Sequence, residues 1–310
     1  MRAAVITHER GMHELGPAVI ALGVFDGVHV GHQALVRDMI AIARERNSAA
    51  CVLTFDRDPD QVVTPDHPQK QLTTFEDKLT LLSDIGPDVI LVVPFDEWLA
   101  SLTPDDFCID VLLDATEPIA CVVGYDFRFG ARASGDADTL RALGALHGFQ
   151  VITHSLVHAD GAPVTSTRIR ALVAEGDVGA AARLLGRPHR LRGEVAHGKG
   201  LGAKLGTPTA NVAISSEFAL PADGVYAGWA TVPMGRFPAA ISVGIPPTIP
   251  GATCDLEAHL IGFEGDLYGQ DITLEFLERI RAQRSFASHD ELAAAIAADV
   301  TRIAELLASS

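Results

Sequence analysis

Positive charge is what this 310-residue sequence has least of for its size: 24 Lys and Arg stand against 40 Asp and Glu, a formal net charge of -16. That balance repels a polyphosphate backbone and predicts no general nucleic-acid binder, because Lys and Arg supply most of such affinity. It leaves room for a small anion, which backbone N–H groups and a few local cations hold against the global field. Cysteine is also sparse. Cys51, Cys108, Cys121 and Cys254 are scattered with no C-x-x-C pair, which argues against a structural zinc site or a disulfide framework. Cys51 and Cys121 lie in apolar runs and read as buried free thiols. No apolar run approaches a membrane span in length, and the opening MRAAVITHERGMHELG carries charge throughout, unlike a secretory leader. The expected setting is therefore the cytoplasm, without membrane or nucleic acid. No internal repeat or low-complexity linker appears, and nothing bears on oligomeric state.

What is present divides into two halves with different grammar. With 48% apolar residues the chain can build a substantial core, and its length suits two domains. From residue 17 to about 158, apolar runs (PAVIALGVF, AACVLTF, DVILVVPF, IACVVGYDF, QVITHSLV) alternate with amphipathic stretches (HQALVRDMIAIARERN, TFEDKLTLLSDIG, and residues near 103–114 and 136–147). That alternation predicts a parallel sheet covered on both faces, with ligands beyond the carboxyl ends of its strands. One or two short helices follow in STRIRALVAEGDVGAAARLLGRPH. Residues 190–280 are rich in Gly and Pro, with short strand-like runs such as RLRGEVAHG, GVYAGWATV and DITLEFLERI. These predict an antiparallel barrel or sandwich, with the boundary near 186–189. Ser288 and Glu291 form a capping box before a stripe of Leu292, Ile296, Val300, Ile303 and Leu307, a final helix expected to cover the barrel.

The first candidate site is GVFDGVHVGH, residues 23–32. It follows the first strand and opens the first helix, where unpaired N–H groups and a partial positive charge favour an anion. Gly27 and Gly31 lack the Cβ that would hold a phosphate off the backbone. His29 and His32 can donate hydrogen bonds to phosphate oxygens as charge shifts onto them. An isolated H-x-x-H more often caps or packs; the glycines, Asp26 and the strand–turn–helix setting point to phosphate chemistry.

The string His29-Val30-Gly31-His32 resembles the H-x-G-H motif of nucleotidyltransferases, and GVFDGVHVGHQALV is similar to the adenylyltransferase module of prokaryotic bifunctional FAD synthetases. GYDFRFG (124–130) and TSTRIR (165–170) resemble further elements of that module. In the second half, KLGTPTANV (204–212) resembles the Pro-Thr-Ala-Asn signature of riboflavin kinases, followed in that family's order by LPADGVYAGWA, ISVGIPPT, LEAHLIGFEGDLYG and ITLEFLERIR. The resemblance spans residues 18–308. It implies a Rossmann-like α/β nucleotidyltransferase domain over 1–186, then an antiparallel six-stranded flavokinase barrel with a C-terminal helix over 187–310. It implies phosphorylation of riboflavin to FMN by ATP with Mg2+, then adenylylation of FMN to FAD with release of pyrophosphate.

Residue by residue, the resemblance makes His29 and His32 the groups that stabilise the transferring phosphate and Glu257 the kinase base. It places nucleotide or phosphate on Gly23, Phe25, Asp26, Gly31, Asp126, Ser166, Thr167, Arg168 and Arg170. In the barrel, Gly198, Lys204, Thr209 and Asn211 take phosphate, and Thr209 and Asn211 also take the metal. Glu is a suitable base for a primary alcohol, and Thr and Asn are oxygen ligands that add no charge beside phosphates. The sequence departs from the family at Asp58, where a histidine is usual, and at Thr207, Pro246 and Ile249 in the kinase half. These departures keep open a paralogue with another nucleotide or a flavin analogue and one module impaired, and a non-catalytic flavin-binding protein.

Overall fold

The structure, a computed structural model, describes residues 3–11, 15–197, 208–244 and 256–308. Gly198, Lys204, Thr207, Pro246 and Ile249 lie outside the described residues. By contacts the chain divides into two compact units, Met1–Ser166 and Thr167–Ser310.

The first unit is built on six parallel strands: β1 (Ala4–Thr7), β2 (Leu15–Leu22), β3 (Ala49–Phe55), β4 (Val89–Val93), β5 (Thr116–Gly124) and β6 (Gln150–His154). Their order across the sheet is β1-β4-β3-β2-β5-β6. The period-2 alternation of each strand feeds two cores. Ile20, Leu22, Cys51, Leu53, Leu91, Cys121 and Val123 face one side. Val19, Ala21, Ala50, Val52, Ile90 and Val122 face the other, against helix α1 (Val30–Glu45) and helix α2 (Phe75–Ile85). Helix α3 (Ala137–His147) packs on the opposite face through Ala137, Leu140 and Leu143. After β2 the chain crosses to β3 by one face, and after β5 to β6 by the other. The carboxyl ends of β2 and β5 therefore flank the crevice where a doubly wound sheet reverses direction.

Local signals explain the helix limits. Thr74 caps α2 by accepting the Asp77 N–H (3.1 Å), and left-handed Gly86 (φ 100°) ends it. Cys51 and Cys121 are buried and free, as expected, and so is Cys108; burial pushes the Cys51 thiol up to about 12. The sequence reading missed β1, a mostly exposed four-residue edge strand inside a charged stretch.

The second unit begins at Thr167, within helix α4 (Ser166–Glu175), and continues into α5 (Val178–Leu185), which packs on the barrel through Val178. The change of grammar near residue 186 falls just before the first barrel strand. The barrel strands are β7 (His189–Ala196), β8 (Ala210–Ala213), β9 (Gly224–Val232), β10 (Gly235–Val243), β11 (Leu256–Leu260) and β12 (Asp271–Ala282). They close in the order β7-β8-β11-β10-β9-β12, every pair antiparallel. Val212, Ile241, Val243, Leu256, Ala258 and Leu260 fill the interior. Gly228 sits at a register shift between β9 and β12, where a Cβ would collide with the Glu275 carbonyl; its absence lets the strands close. The C-terminal helix α6 (His289–Ala308) packs Ile303 and Leu307 on Val225, Ala227 and Ile280, and Ser288 Oγ accepts the Glu291 N–H at 3.2 Å, the expected cap and cover. Among the described residues no helix is long and apolar enough to cross a membrane.

His189 is fully buried, its Nε2–H donating to the Ala219 carbonyl (2.9 Å) beside the Phe276 ring. Burial, aided by Arg187 and opposed by that hydrogen bond, lowers its pKa from 6.5 to about 4. The unfolded chain therefore binds this proton first, so stability is complete above pH 6.5 and falls toward pH 4, by up to about 3 kcal/mol. Chemical denaturation across that interval should show His189→Gln losing less stability with acidification than the unaltered chain.

Candidate active sites

Residues 23–32 leave β2 through a turn that polypeptide rarely adopts. Phe25 (φ 56°), Gly27 (φ 78°) and Val28 (φ 40°) are all left-handed, a conformation that costs a residue with a Cβ about 1–3 kcal/mol. Side chains brought from elsewhere hold it. The Asp26 carboxylate accepts the Leu72 N–H (3.0 and 3.2 Å) and the Thr73 hydroxyl (3.4 Å), and Thr73 Oγ1 accepts the Gly27 N–H (3.3 Å). Ser166 donates to the Asp26 carbonyl (3.0 Å) and Gln33 to the Val28 carbonyl (2.9 Å). Asp26, buried at 7% exposure, is thus engaged with the loop behind the turn.

His29 caps α1: its Nδ1 accepts the His32 N–H at 3.2 Å. A neutral imidazole that accepts at Nδ1 carries its proton on Nε2, which makes His29 an Nε2–H donor. The two rings stack with centroids 3.6 Å apart and planes 15° apart, and Phe25 meets His32 edge-on at 5.2 Å. His29 is buried and His32 half-buried. His32 Nδ1 is buried with no hydrogen-bond partner among the described residues. Burial first, then the neighbouring His29 and Lys78, pushes the His32 pKa well below 6.5, so the ring is neutral at physiological pH. Gly31 makes room for the stack: a Cβ there would lie 3.1 Å from His29 Cε1 and Nδ1.

Of the other expected residues in this unit, Gly23 lies under the Phe25 ring, where a Cβ would stand 3.0 Å from it. Asp126 is exposed at the carboxyl end of β5, its Oδ1 beside Gly124. Asp58 caps the one-turn helix Asp60–Val63, its Oδ1 accepting the Asp60 N–H at 3.1 Å. Thr167, Arg168 and Arg170 lie in the first turns of α4, in the second unit, with both arginines half-buried.

The sequence reading overlooked Lys78. It lies on α2 at only 6% exposure, and its Nζ donates to the carbonyls of Val24 (3.3 Å), just beyond β2, and Phe55 (2.7 Å), the last residue of β3. The signal was present: Phe75, Lys78, Leu79 and Leu82 share one helical stripe, so the cation stands on the apolar face.

In the barrel, Asn211, Glu257 and Ser242 are register partners across β8, β11 and β10. They alternate with the core residues Val212, Ala258 and Val243 and therefore share the outer face. The Thr209 hydroxyl donates to Glu257 Oε2 (3.4 Å). Burial raises the Glu257 pKa above the usual carboxylate value, with Thr209 opposing it, the environment of a usable proton acceptor. Gln283, unforeseen from sequence, donates to Ser242 Oγ (2.9 Å) and the Val243 carbonyl (3.2 Å).

A Gly31→Ala variant checks the first site's geometry. Alanine favours the helix by up to about 1 kcal/mol, and displacing the His29 cap costs a similar amount, about 1 kcal/mol, so the unfolding free energy should change little. The added methyl should displace the His29 ring, moving the ring-current-shifted imidazole proton resonances of both histidines.

Residues 12–168 match the FAD synthetase family and residues 185–307 the riboflavin kinase family. The chain is 37% identical to the bifunctional riboflavin kinase/FMN adenylyltransferase of Pseudomonas fluorescens, over 97% of this chain and 98% of that protein. It is 36% identical to that of Escherichia coli K12, over 94% of each, and 34% identical to that of Bacillus subtilis 168, over 96% of each. The crystal structure of a macrolide-efflux protein from Streptococcus pneumoniae superposes with a TM-score of 0.84 at 30% identity, over 95% of this chain and 97% of that one. A strained histidine-bearing turn at the switch point of a parallel sheet, a half-buried carboxylate in a polar row on a closed barrel and nearly full-length likeness agree: the chain belongs to the bifunctional riboflavin kinase/FMN adenylyltransferase family.

Proposed function

We propose that residues 187–310 phosphorylate riboflavin with ATP and that residues 1–186 adenylylate the resulting FMN with a second ATP, releasing pyrophosphate. The observation that carries this reading is that each unit holds its own reactive arrangement, the His29–His32 stack in one and the Thr209–Glu257 pair in the other.

In the kinase step Glu257 accepts the proton of the flavin's primary hydroxyl while that oxygen forms its bond to the γ-phosphorus of ATP and ADP leaves. The Thr209 hydroxyl holds the carboxylate, and its row-mate Asn211 supplies a neutral oxygen. Oxygen donors without nitrogen or sulfur are the chemistry a hard cation takes, and the described residues contain no cluster of three or more His, Cys, Asp or Glu. Thr209 and Asn211 would hold Mg2+, which when bound neutralises phosphate charge.

In the adenylyl step an FMN phosphate oxygen attacks the α-phosphorus of ATP and pyrophosphate leaves, so no side chain need remove a proton. The task is to stabilise charge on the phosphoryl oxygens, for which a fixed, neutral donor such as His29 Nε2–H is suited. Asp126, Arg168 and Arg170 are assigned to positioning nucleotide or pyrophosphate.

Product chromatography with Mg·ATP tests both steps. Riboflavin should yield FMN and then FAD; folded protein producing neither would refute the reading. His29→Ala should lose FAD formation by about a hundredfold or more while FMN formation persists, and Glu257→Ala should lose FMN formation from riboflavin while still converting supplied FMN to FAD. The raised pKa of Glu257 adds a signed pH dependence. Since the base must be ionised, the acid limb of kcat/KM for riboflavin should lie above that of an ordinary carboxylate, near pH 4.3.

A further inference from the structure

We infer that Lys78 is a positioning residue of the adenylyl-transfer site: its ammonium fastens the turn after β2 to the last residue of β3 and keeps a fixed positive charge behind the His29–His32 pair. The inference rests on the reading of the first unit as an adenylyltransferase.

The Val24 carbonyl receives two donors, the Thr54 hydroxyl (3.1 Å) and the Lys78 ammonium (3.3 Å), and the Phe55 carbonyl receives the ammonium at 2.7 Å. The first acceptor lies in the turn after β2, immediately before left-handed Phe25, and the second is the last residue of β3, just after its buried run. A strained turn persists only where its surroundings over-determine it, and Lys78 is the charged group among its fasteners from α2. An aliphatic side chain at position 78 would continue the apolar stripe of α2 without the cost of burying a cation.

Titratable groups face Lys78 from each side: the carboxylates of Asp26 from the turn and of Asp56 and Asp58 from the chain after β3, and the neutral His32 ring from α1. The Phe75 ring lies 5.6 Å from the ammonium. Burial lowers the Lys78 pKa to about 8, with the three carboxylates opposing it in the order Asp26, Asp58, Asp56. The positive charge in turn disfavours a second one on His32. Asp58 thus acquires a place here, as part of the negative frame that keeps the buried ammonium charged.

Three measurements on the full chain test this: steady-state FAD formation from FMN, the pH dependence of its kcat/KM, and imidazole 15N spectra of His32. Lys78→Met should lower kcat for FAD formation about tenfold or more while FMN formation from riboflavin is unchanged. It should also move the His32 titration midpoint upward, and Lys78→Arg should return both toward the original values. In the unaltered chain kcat/KM should fall as pH rises past about 8, where the ammonium is lost. That limb should vanish in Lys78→Met and move to higher pH in Lys78→Arg. Folded Lys78→Met with unchanged kcat, KM and His32 spectrum would overturn the inference. If that variant does not fold, a flat alkaline profile to pH 10 in the unaltered chain would do so. Absence of FAD from the unaltered chain would instead refute the adenylyltransferase reading, and the His32 titration in the variants would still decide whether Lys78 acts on the histidine pair.

Discussion

The first site depends on a backbone conformation that the chain would not hold by itself. Three left-handed residues between β2 and α1 turn the chain so that His29 becomes the cap of α1 and its ring lies on that of His32. The cost of that turn is offset by distributed hydrogen bonds from the 72–73 loop, Ser166, Gln33, Thr54 and Lys78. Most of these partners are far away in sequence, so the turn exists only once the sheet and α2 are assembled. Such strain is a usual property of sites in which donors must be placed before the ligand arrives.

Charge is handled in a consistent way across the described residues. A chain of net charge -16 cannot rely on a broad positive field to hold phosphates. At the first site the donors are neutral or buried: an imidazole whose proton is assigned by the helix N–H it caps, and an ammonium sealed behind the turn. Stacked rings 3.6 Å apart would repel if both were cationic, and the low basicity of His32 removes that conflict. In the barrel the same logic runs with the opposite sign. Partial burial makes Glu257 a better proton acceptor than a solvated carboxylate, and a single hydroxyl keeps it oriented.

Much of the architecture was legible in the sequence because it rests on short-range periodicity. Continuous apolar runs between amphipathic helices imply a two-faced parallel sheet, and close-spaced strands with frequent glycine imply the antiparallel barrel. The Ser288–Glu291 cap and its stripe likewise emerged as a helix lying on the barrel. β1 was missed since four mostly exposed residues carry too little pattern. The histidine motif and the Thr209–Asn211–Glu257 set were visible by type and spacing, but their geometry was not. Asp26, expected at the ligand, ties the turn to residues 72 and 73, and Gly31 makes room for an imidazole ring.

By itself, then, the sequence determined the two fold types and the candidate residues for phosphate chemistry, because both are written in local pattern and side-chain chemistry. Only the tertiary structure decided which of those residues meet and in what state. Lys78 looks like one charge on an ordinary helix until folding brings it against two strand-end carbonyls. Asn211, Glu257 and Ser242 become neighbours only through the register of three strands. Hydrogen bonding, burial and electrostatic coupling act through distance in space, and distance in space is set by packing between segments far apart in the chain.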